Sequence, residues 1–398
     1  MTAGASSFDR RRALRINSID RARQLGCRRV PVPVQSYVEG GAGDEVTLRA
    51  NQTAYANWQF LPRLGVTAGS GPDLRTSVLG HEISMPLLLG PIGFSRMMHS
   101  SGDVAGAAAA SAAGTVFTVS SMSGHTMKEV KAASSGPLWF QLYFLGGREG
   151  ARRLVSDAAR LGYEAIVVTM DTQIPGDRRR ESRYGLSPPL RLDRKTVTKM
   201  APFVATHPGW LLDQARSGFQ LDLVNAKRGY AGASDDPVAA ALMEWVAEPP
   251  TWDDIAWIRH AFQGDVLVKG VLSPDDAKRA IEAGATGVIV SNHGGRQLDG
   301  VSSTLEALPA IVAAVGDQVD VLVDGGVRSG ADVVKAVALG ARAAMVGRAW
   351  AYGLCAAGQA GVERVVSLLR ADIDRTMRLL GVNSIADVDG SVIDHRAD

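Results

Sequence analysis

Eight short apolar runs between residues 86 and 348 constrain this chain more than any other feature. They are Pro86–Pro91, Thr115–Ser121, Leu138–Tyr143, Ala165–Asp171, Val266–Gly270, Gly287–Asn292, Val319–Gly326 and Ala343–Arg348. Continuous apolar runs without polar alternation suit strands buried on both faces, as in parallel sheets. Helical patterns separate them. Arg148–Leu161 carries Leu154, Ala158, Ala159 and Leu161 on one repeating face. The segment from Ser273 opens with an N-cap serine, Pro274 at the first helical position and Asp275 and Asp276 in the first turn, and Gly284 closes it. Gly330–Leu339 and Gly361–Arg370 read as helices on the same grounds. Val104–Met127 is uncharged but mostly Ala, Gly, Ser and Thr. A membrane span needs ~20 predominantly apolar residues, so this stretch reads as a buried helix followed by a strand. Strand–helix alternation gives right-handed βαβ units. Eight in succession predict an α/β fold closed as a (β/α)8 TIM barrel, ahead of a doubly wound open sheet.

Two regions fall outside the repeat. Residues 1–85 read as a helical N-terminal cap with a short extended lead-in, and 86–385 as the barrel. The fourth connection, 172–251, far exceeds the usual 2–6 residues of such a loop. Its first part is basic: Arg178, Arg179, Arg180, Arg183, Arg191, Arg194, Lys195 and Lys199 stand against Asp177, Glu181 and Asp193. Trp210, Leu211 and Leu212 follow on an amphipathic turn. The segment reads as a solvated insertion or, more sharply, as a lid or a membrane-surface contact. Residues 386–398 read as a C-terminal tail.

Composition removes several classes. Hydrophobic residues are 46% and charged residues 21%, which excludes disorder across the whole chain. A net charge of +2 argues against a nucleic-acid partner, which would demand a basic excess. Cys27 and Cys355 are the only cysteines. They cannot form a disulfide framework or a thiolate zinc site, and the expectation is a reducing, cytoplasmic setting. The first 30 residues carry Arg10, Arg11, Arg12, Arg15, Arg21 and Arg23 with no apolar core, unlike a secretory signal. No histidine pairs at ligand spacing, so no metal is expected. The 44 glycines exceed the average of roughly 7%. They suit tight strand-to-helix turns or a backbone that approaches a ligand closely.

In such a barrel the active site lies at the C-terminal strand ends. The eight runs end there on polar, basic or glycine residues: Gly93; Ser120 and Ser121; Gln141 and Tyr143; Thr169 and Asp171; Lys269; Ser291 to His293; Asp324 to Arg328; Gly347 and Arg348. Barrels often bind phosphate after strands seven and eight, through backbone N–H groups and a helix N-terminus. Asp324-Gly325-Gly326-Val327-Arg328 and Gly347-Arg348 fit that use, and the arginines can pair with phosphate oxygens. His293 with Arg296 three residues on suits an anionic substrate: arginine fixes a carboxylate and histidine takes a proton. Asp171 could hold the imidazolium that forms. Lys269 is a buried ammonium that needs a negative partner, which a cofactor turning anionic would supply. Other motifs fail. Gly41-Ala42-Gly43 does not follow a strand, and neither G-x-x-x-x-G-K-[ST] nor G-x-S-x-G appears.

The run Ser291–Gly300 (SNHGGRQLDG), with FQLY at Phe140–Tyr143, VKG at Val268–Gly270 and DGGVR at Asp324–Arg328, resembles the FMN-dependent L-2-hydroxy-acid oxidases and dehydrogenases. The likeness runs from about Val32 to Val388. It implies FMN as cofactor and His293 as proton acceptor on the substrate, paired with Asp171. Arg296 and Arg178 would hold the substrate carboxylate, and Tyr37 and Tyr143 would hydrogen-bond the substrate. Lys269 would stabilise negative charge on the reduced flavin. Pro91, Ile92, Gly93, Ser120, Gln141, Thr169 and Ser291 would line the flavin ring and ribityl chain. Asp324, Gly325, Gly326, Arg328, Gly347 and Arg348 would hold the ribityl-phosphate end.

Departures shape the substrate. Met122 stands where plant-type glycolate oxidases carry a tryptophan, which weakens a strict glycolate preference. Gly93 stands where several oxidases carry alanine; a glycine there resembles the family's dehydrogenases, though lactate monooxygenase shares it. A branch that modifies a peptide-derived redox cofactor lacks the signature arginine; Arg296 is present here. Gly93–His99 and Thr376–Val382 look most like actinobacterial quinone-linked L-lactate dehydrogenases. The resemblance therefore implies oxidation of an L-2-hydroxy acid, L-lactate foremost, with electrons passed to a quinone or other acceptor. The alternative is an oxygen-using oxidase or monooxygenase on a larger acid such as mandelate. A catalytically silent FMN-binding barrel is a third reading, opposed by the complete set of His293, Arg296, Arg178 and Tyr143. Relatives are commonly tetramers, so a homo-oligomer is expected, with peripheral contact at the inner face of the cell membrane.

Overall fold

The computed structural model describes residues 6–66, 71–184, 194–220, 222–232, 234 and 236–395, with the backbone alone at 194–197, 199–200 and 237. Arg191 and Asp193 of the basic segment lie outside the described residues, as do the side chains of Arg194, Lys195 and Lys199.

Eight parallel strands close into a barrel: β1 (Leu87–Leu89), β2 (Phe117–Ser120), β3 (Leu138–Leu142), β4 (Ala165–Thr169), β5 (Asp265–Val271), β6 (Gly287–Val290), β7 (Asp320–Val323) and β8 (Ala343–Val346). Each pairs with its sequence neighbour, and β8 returns to β1. The fold is the (β/α)8 TIM barrel the sequence predicts. The apolar runs do not alternate because both faces are buried. One face of each strand packs the barrel interior, where Leu88, Trp139, Val167, Leu267, Ile289, Leu322 and Met345 form one cluster. The other face, with residues such as Phe140, Val168 and Val268, meets the helices.

Strand period is two residues, and this positions the site. Gln141 lies two beyond Trp139, Thr169 two beyond Val167, Lys269 two beyond Leu267, Ser291 two beyond Ile289 and Asp324 two beyond Leu322. The parity that buries the interior stack therefore brings these polar residues to its upper end.

The N-terminal region is helical as predicted, with helices Ser7–Ala13, Ile19–Arg29, Val32–Glu39 and Val46–Thr53. The C-terminal residues differ from a free tail. Ile393–His395 pairs antiparallel with Trp58–Phe60, and Val388 and Val392 are buried. The helix expected at Gly361–Arg370 is part of a much longer one, Arg348–Leu380, interrupted at Ala357 and Gly358. Gly361 marks a close crossing of the two halves on either side of that interruption, since a Cβ there would lie 1.9 Å from the Gly353 carbonyl oxygen.

The insertion is helical where described, with helices Arg179–Ser182, Arg194–Ala205, Pro208–Arg216, Val224–Gly229 and Pro237–Ala247. Helix Pro208–Arg216 docks on the loop after β1. Trp210 Nε1 donates to the Met97 carbonyl (2.8 Å), and Asp213 accepts from Ser100 N (2.9 Å). Leu211 and Leu212 face outward. Among the described residues no helix is long and apolar enough to cross a membrane.

Candidate active site

The turn after β6 creates the centre of the site. His293, Gly294 and Gly295 have φ of 59°, 64° and 74°. Left-handed backbone costs a histidine about 1–2 kcal/mol, so the fold must hold it. Asn292 does so: its Oδ1 accepts from Gly295 N (3.1 Å), and its amide exchanges two 2.8 Å hydrogen bonds with buried Asn51 of the N-terminal cap. His293 N also donates to Ser291 Oγ (3.1 Å).

This turn sets the imidazole between two partners. Nδ1 lies 3.1 Å from Asp171 Oδ1, and Nε2 lies 3.1 Å from the Tyr143 hydroxyl. Burial lowers the His293 pKa, against the pull of Asp171, so the ring is neutral near pH 7. Burial opposes the Asp171 carboxylate too, but His293 and Lys269 outweigh it and its pKa falls below the ordinary value. Burial raises the Tyr143 pKa. The consistent arrangement has Nδ1–H donating to Asp171, and Tyr143 O–H donating to Nε2 until a ligand displaces it. Nε2 is then a poised proton acceptor.

The two expected carboxylate anchors differ in availability. Arg296 donates from Nη1 to the carbonyls of Tyr37 (2.8 Å) and Gly40 (2.9 Å) and stands over the Tyr37 ring. Its Nη2 lies 2.6 Å from Oε1 of buried Glu181, an ion pair off hydrogen-bond alignment. Arg178 donates only to the Arg296 carbonyl (3.3 Å) and Gln297 Oε1 (3.1 Å). Among the described residues it has no carboxylate partner, and burial followed by Arg296 lowers its pKa. Arg178 is thus the guanidinium with unbalanced charge. Its neighbours fix it: Arg179 pairs with Asp44 and Arg180 with Glu45, each at 2.6 Å.

Lys269 has a partner that sequence reasoning placed elsewhere. Its Nζ lies 2.9 Å from Asp324 Oδ2 and donates to Ser291 Oγ at 2.6 Å. Asp324, expected at the phosphate end, sits beside the ammonium, because β7 places it two residues above Leu322 in the same layer.

The opposite end is built from backbone. Gly325 and Gly326 have φ of 99° and 84°, and a Cβ on Gly326 would lie 1.8 Å from the Asn51 carbonyl oxygen. Gly347 heads helix Arg348–Leu380 without a side-chain cap, leaving first-turn N–H groups for a ligand. Arg348 donates to the carbonyls of Val38, Gly40 and Gly294, and burial lowers its pKa to about 10. It ties the cap to the signature turn as well as facing the cavity. The Arg328 guanidinium donates to the Val327 carbonyl (3.1 Å) and, among the described residues, has no carboxylate partner.

One cavity joins both ends. Asp171 and Ser291 stand behind its wall, bonded to His293 and Lys269. Tyr37, Pro91, Ile92, Gly93, Ser120, Gln141, Tyr143, Thr169, Arg178, Lys269, His293, Arg296, Asp324, Gly325, Gly326, Arg328, Gly347 and Arg348 line it. Glu181 and Trp245 were not anticipated. A lone acid after three arginines was the only signal for Glu181. Trp245, from helix Pro237–Ala247, gave none, since its role depends on where the insertion packs.

Residues 27–395 match the family described as FMN-dependent dehydrogenase. This chain belongs to that family. It is 42% identical over 370 residues to a pre-mycofactocin synthase of Mycobacterium tuberculosis, covering 92% of this chain and 91% of the relative. It is 40% identical over 367 residues to an L-lactate dehydrogenase of Pectobacterium atrosepticum, covering 91% and 92%. The solved structure of a monotopic membrane protein, (S)-mandelate dehydrogenase, superposes with a TM-score of 0.86 at 37% identity, covering 96% and 99%. The chain is an FMN-dependent oxidoreductase of the 2-hydroxy-acid class.

The cavity fits that cofactor. A glycine cradle, an uncapped helix start and two arginines that have no carboxylate partner among the described residues suit a phosphate dianion. The buried Asp324 Oδ1 has no hydrogen-bond partner, and Lys269 lies beside it. Such groups suit the polar edge of a flavin ring better than an apolar ligand.

Proposed function

We propose that the enzyme oxidises a small L-2-hydroxy acid, L-lactate foremost, to its 2-oxo acid, passing electrons to a quinone or other acceptor in preference to oxygen. Bound FMN supplies the two-electron acceptor chemistry. Pro91 to Gly93, Ser120, Gln141, Thr169 and Ser291 would border its ring and chain, with Lys269 at the ring's polar edge. Gly325, Gly326, Arg328, Gly347 and Arg348 would hold its phosphate. The observation that carries the reading is Arg178, a cation with no carboxylate partner among the described residues, in the same cavity as the Asp171–His293–Tyr143 chain.

In this reading Arg178 binds the substrate carboxylate, with Arg296 as its second wall, and Tyr37 and Tyr143 orient the substrate. His293 Nε2 accepts the proton, and Asp171 stabilises the imidazolium that results. Contact with a quinone-bearing membrane would use the exposed Leu211 and Leu212 of the insertion, in a homo-oligomer such as a tetramer.

The test is turnover of L-lactate, glycolate and (S)-mandelate with a quinone analogue or in air. Lactate with quinone should dominate and peroxide should be minor. High peroxide yield would favour the oxidase reading, and a mandelate preference the larger-acid reading, which the likeness to (S)-mandelate dehydrogenase supports. A reading drawn from the relatives named pre-mycofactocin synthase is opposed by Arg178, which calls for an acid. Reaction with none of the acids would revive it.

A further inference from the structure

Met122 lines the cavity beside Gly93, and the insertion reaches the same cavity. Trp245 lies on helix Pro237–Ala247, far along the chain from β4, just after which Asp171 stands. It is only 6% exposed and lines the cavity with Met122, Pro175 and Arg178. Its ring stacks on Tyr143, with centroids 4.7 Å apart and planes at 28°. Tyr143 in turn carries the hydroxyl 3.1 Å from His293 Nε2. A side chain so placed has two effects. It occupies volume beside the group that orients the substrate, and it limits how far the Tyr143 ring can turn. Stacked aromatic pairs add stabilisation beyond burial, which favours one ring orientation.

We propose that Trp245 is a specificity-determining residue: the insertion delivers it to Tyr143 to close the substrate pocket around short aliphatic 2-hydroxy acids and against aryl ones. This deepens the proposed function and rests on it. An apolar cavity of roughly 150 Å³ is enough to bind benzene, so removal of the indole opens space on the scale of a phenyl group. Hydrophobic pockets discriminate a single methylene by ~10–200-fold, and a whole ring should lie at or above the upper end. Glycolate, with no side chain, should be least sensitive to the change.

The experiment compares the wild-type holoenzyme with Trp245→Phe, Trp245→Leu and Trp245→Ala. The kcat/KM ratio of (S)-mandelate to L-lactate should rise at least 10-fold in Trp245→Ala, with Trp245→Phe between it and the wild type. Titration with oxalate and phenylglyoxylate, followed by perturbation of the flavin absorbance, reads the same pocket without turnover. The phenylglyoxylate Kd should fall at least 10-fold relative to that of oxalate. If the alanine variant does not fold, the phenylalanine and leucine variants carry the test. Variants that change both acids and both ligands by one common factor would overturn the proposal, because damage to packing alone predicts that pattern. A wild type that oxidises no 2-hydroxy acid would sink the functional reading, while the two titrations would still decide whether Trp245 sets pocket size.

Discussion

At the reacting end of the cavity nearly every charged side chain already has its counter-charge. Asp171 lies 3.1 Å from His293, Asp324 2.9 Å from Lys269 and Glu181 2.6 Å from Arg296, and Arg178 is the exception. At the anchoring end, Arg328 and Arg348 have no carboxylate partner among the described residues, and glycine backbone does the rest. The difference follows from what the proposed function asks of each end. A reacting centre shifts charge during turnover, and pre-paired groups stabilise that shift without reorganising. An anchor holds one fixed anion, so unbalanced positive charge and free N–H groups serve it best. Substitutions at the reacting end should therefore remove turnover and spare flavin content, and substitutions at the anchoring end should do the reverse.

The largest effect is expected at His293. His293→Asn should retain FMN and lose kcat by ~10²–10⁴, the usual worth of a general base, as steady-state turnover and flavin content measured together would show. Arg178→Gln should come next. Loss of a charge-assisted pair costs about 1.5–3 kcal/mol, so kcat/KM for lactate should fall ~10–100-fold, mostly in KM. Arg328→Gln should raise the FMN Kd by a similar ~10-fold or more, with activity recovered by added FMN. Recovery failing there, or flavin lost from the His293 variant, would break the contrast between the two ends.

The smallest expected effect is a pH shift. His293 must be neutral to accept a proton, and burial sets its pKa below the ordinary value, so activity should fall only as pH drops below about 6.5. Asp171 raises that pKa. Asp171→Asn should therefore move the acid limb of kcat/KM to lower pH while lowering kcat. A limb moving to higher pH would contradict the role given to Asp171.

The barrel was legible because its signals are local. All eight apolar runs became strands, and period two then fixed which polar residues crown the interior. The glycines and arginines of the anchoring end were legible for the same reason. Pairings were not. The sequence shows that Lys269 needs an anion but cannot say that Asp324 supplies one. It shows three arginines and an acid at 178–181 but not that Glu181 reaches across to Arg296, because that contact depends on how the insertion folds back. Trp245 was hidden for the same reason. The long final helix was underread because its glycines mark a crossing at Gly353 and Gly361, not a start.

The most direct measurement is anaerobic mixing of L-lactate with the FMN-loaded wild type and with His293→Asn, following flavin absorbance in a single turnover. The wild type should bleach fully, and the variant, equally yellow at the start, should bleach at least a hundredfold more slowly. Equal bleaching in both proteins would remove His293 from the chemistry, and no bleaching of the wild type by any L-2-hydroxy acid would contradict the proposed reaction itself.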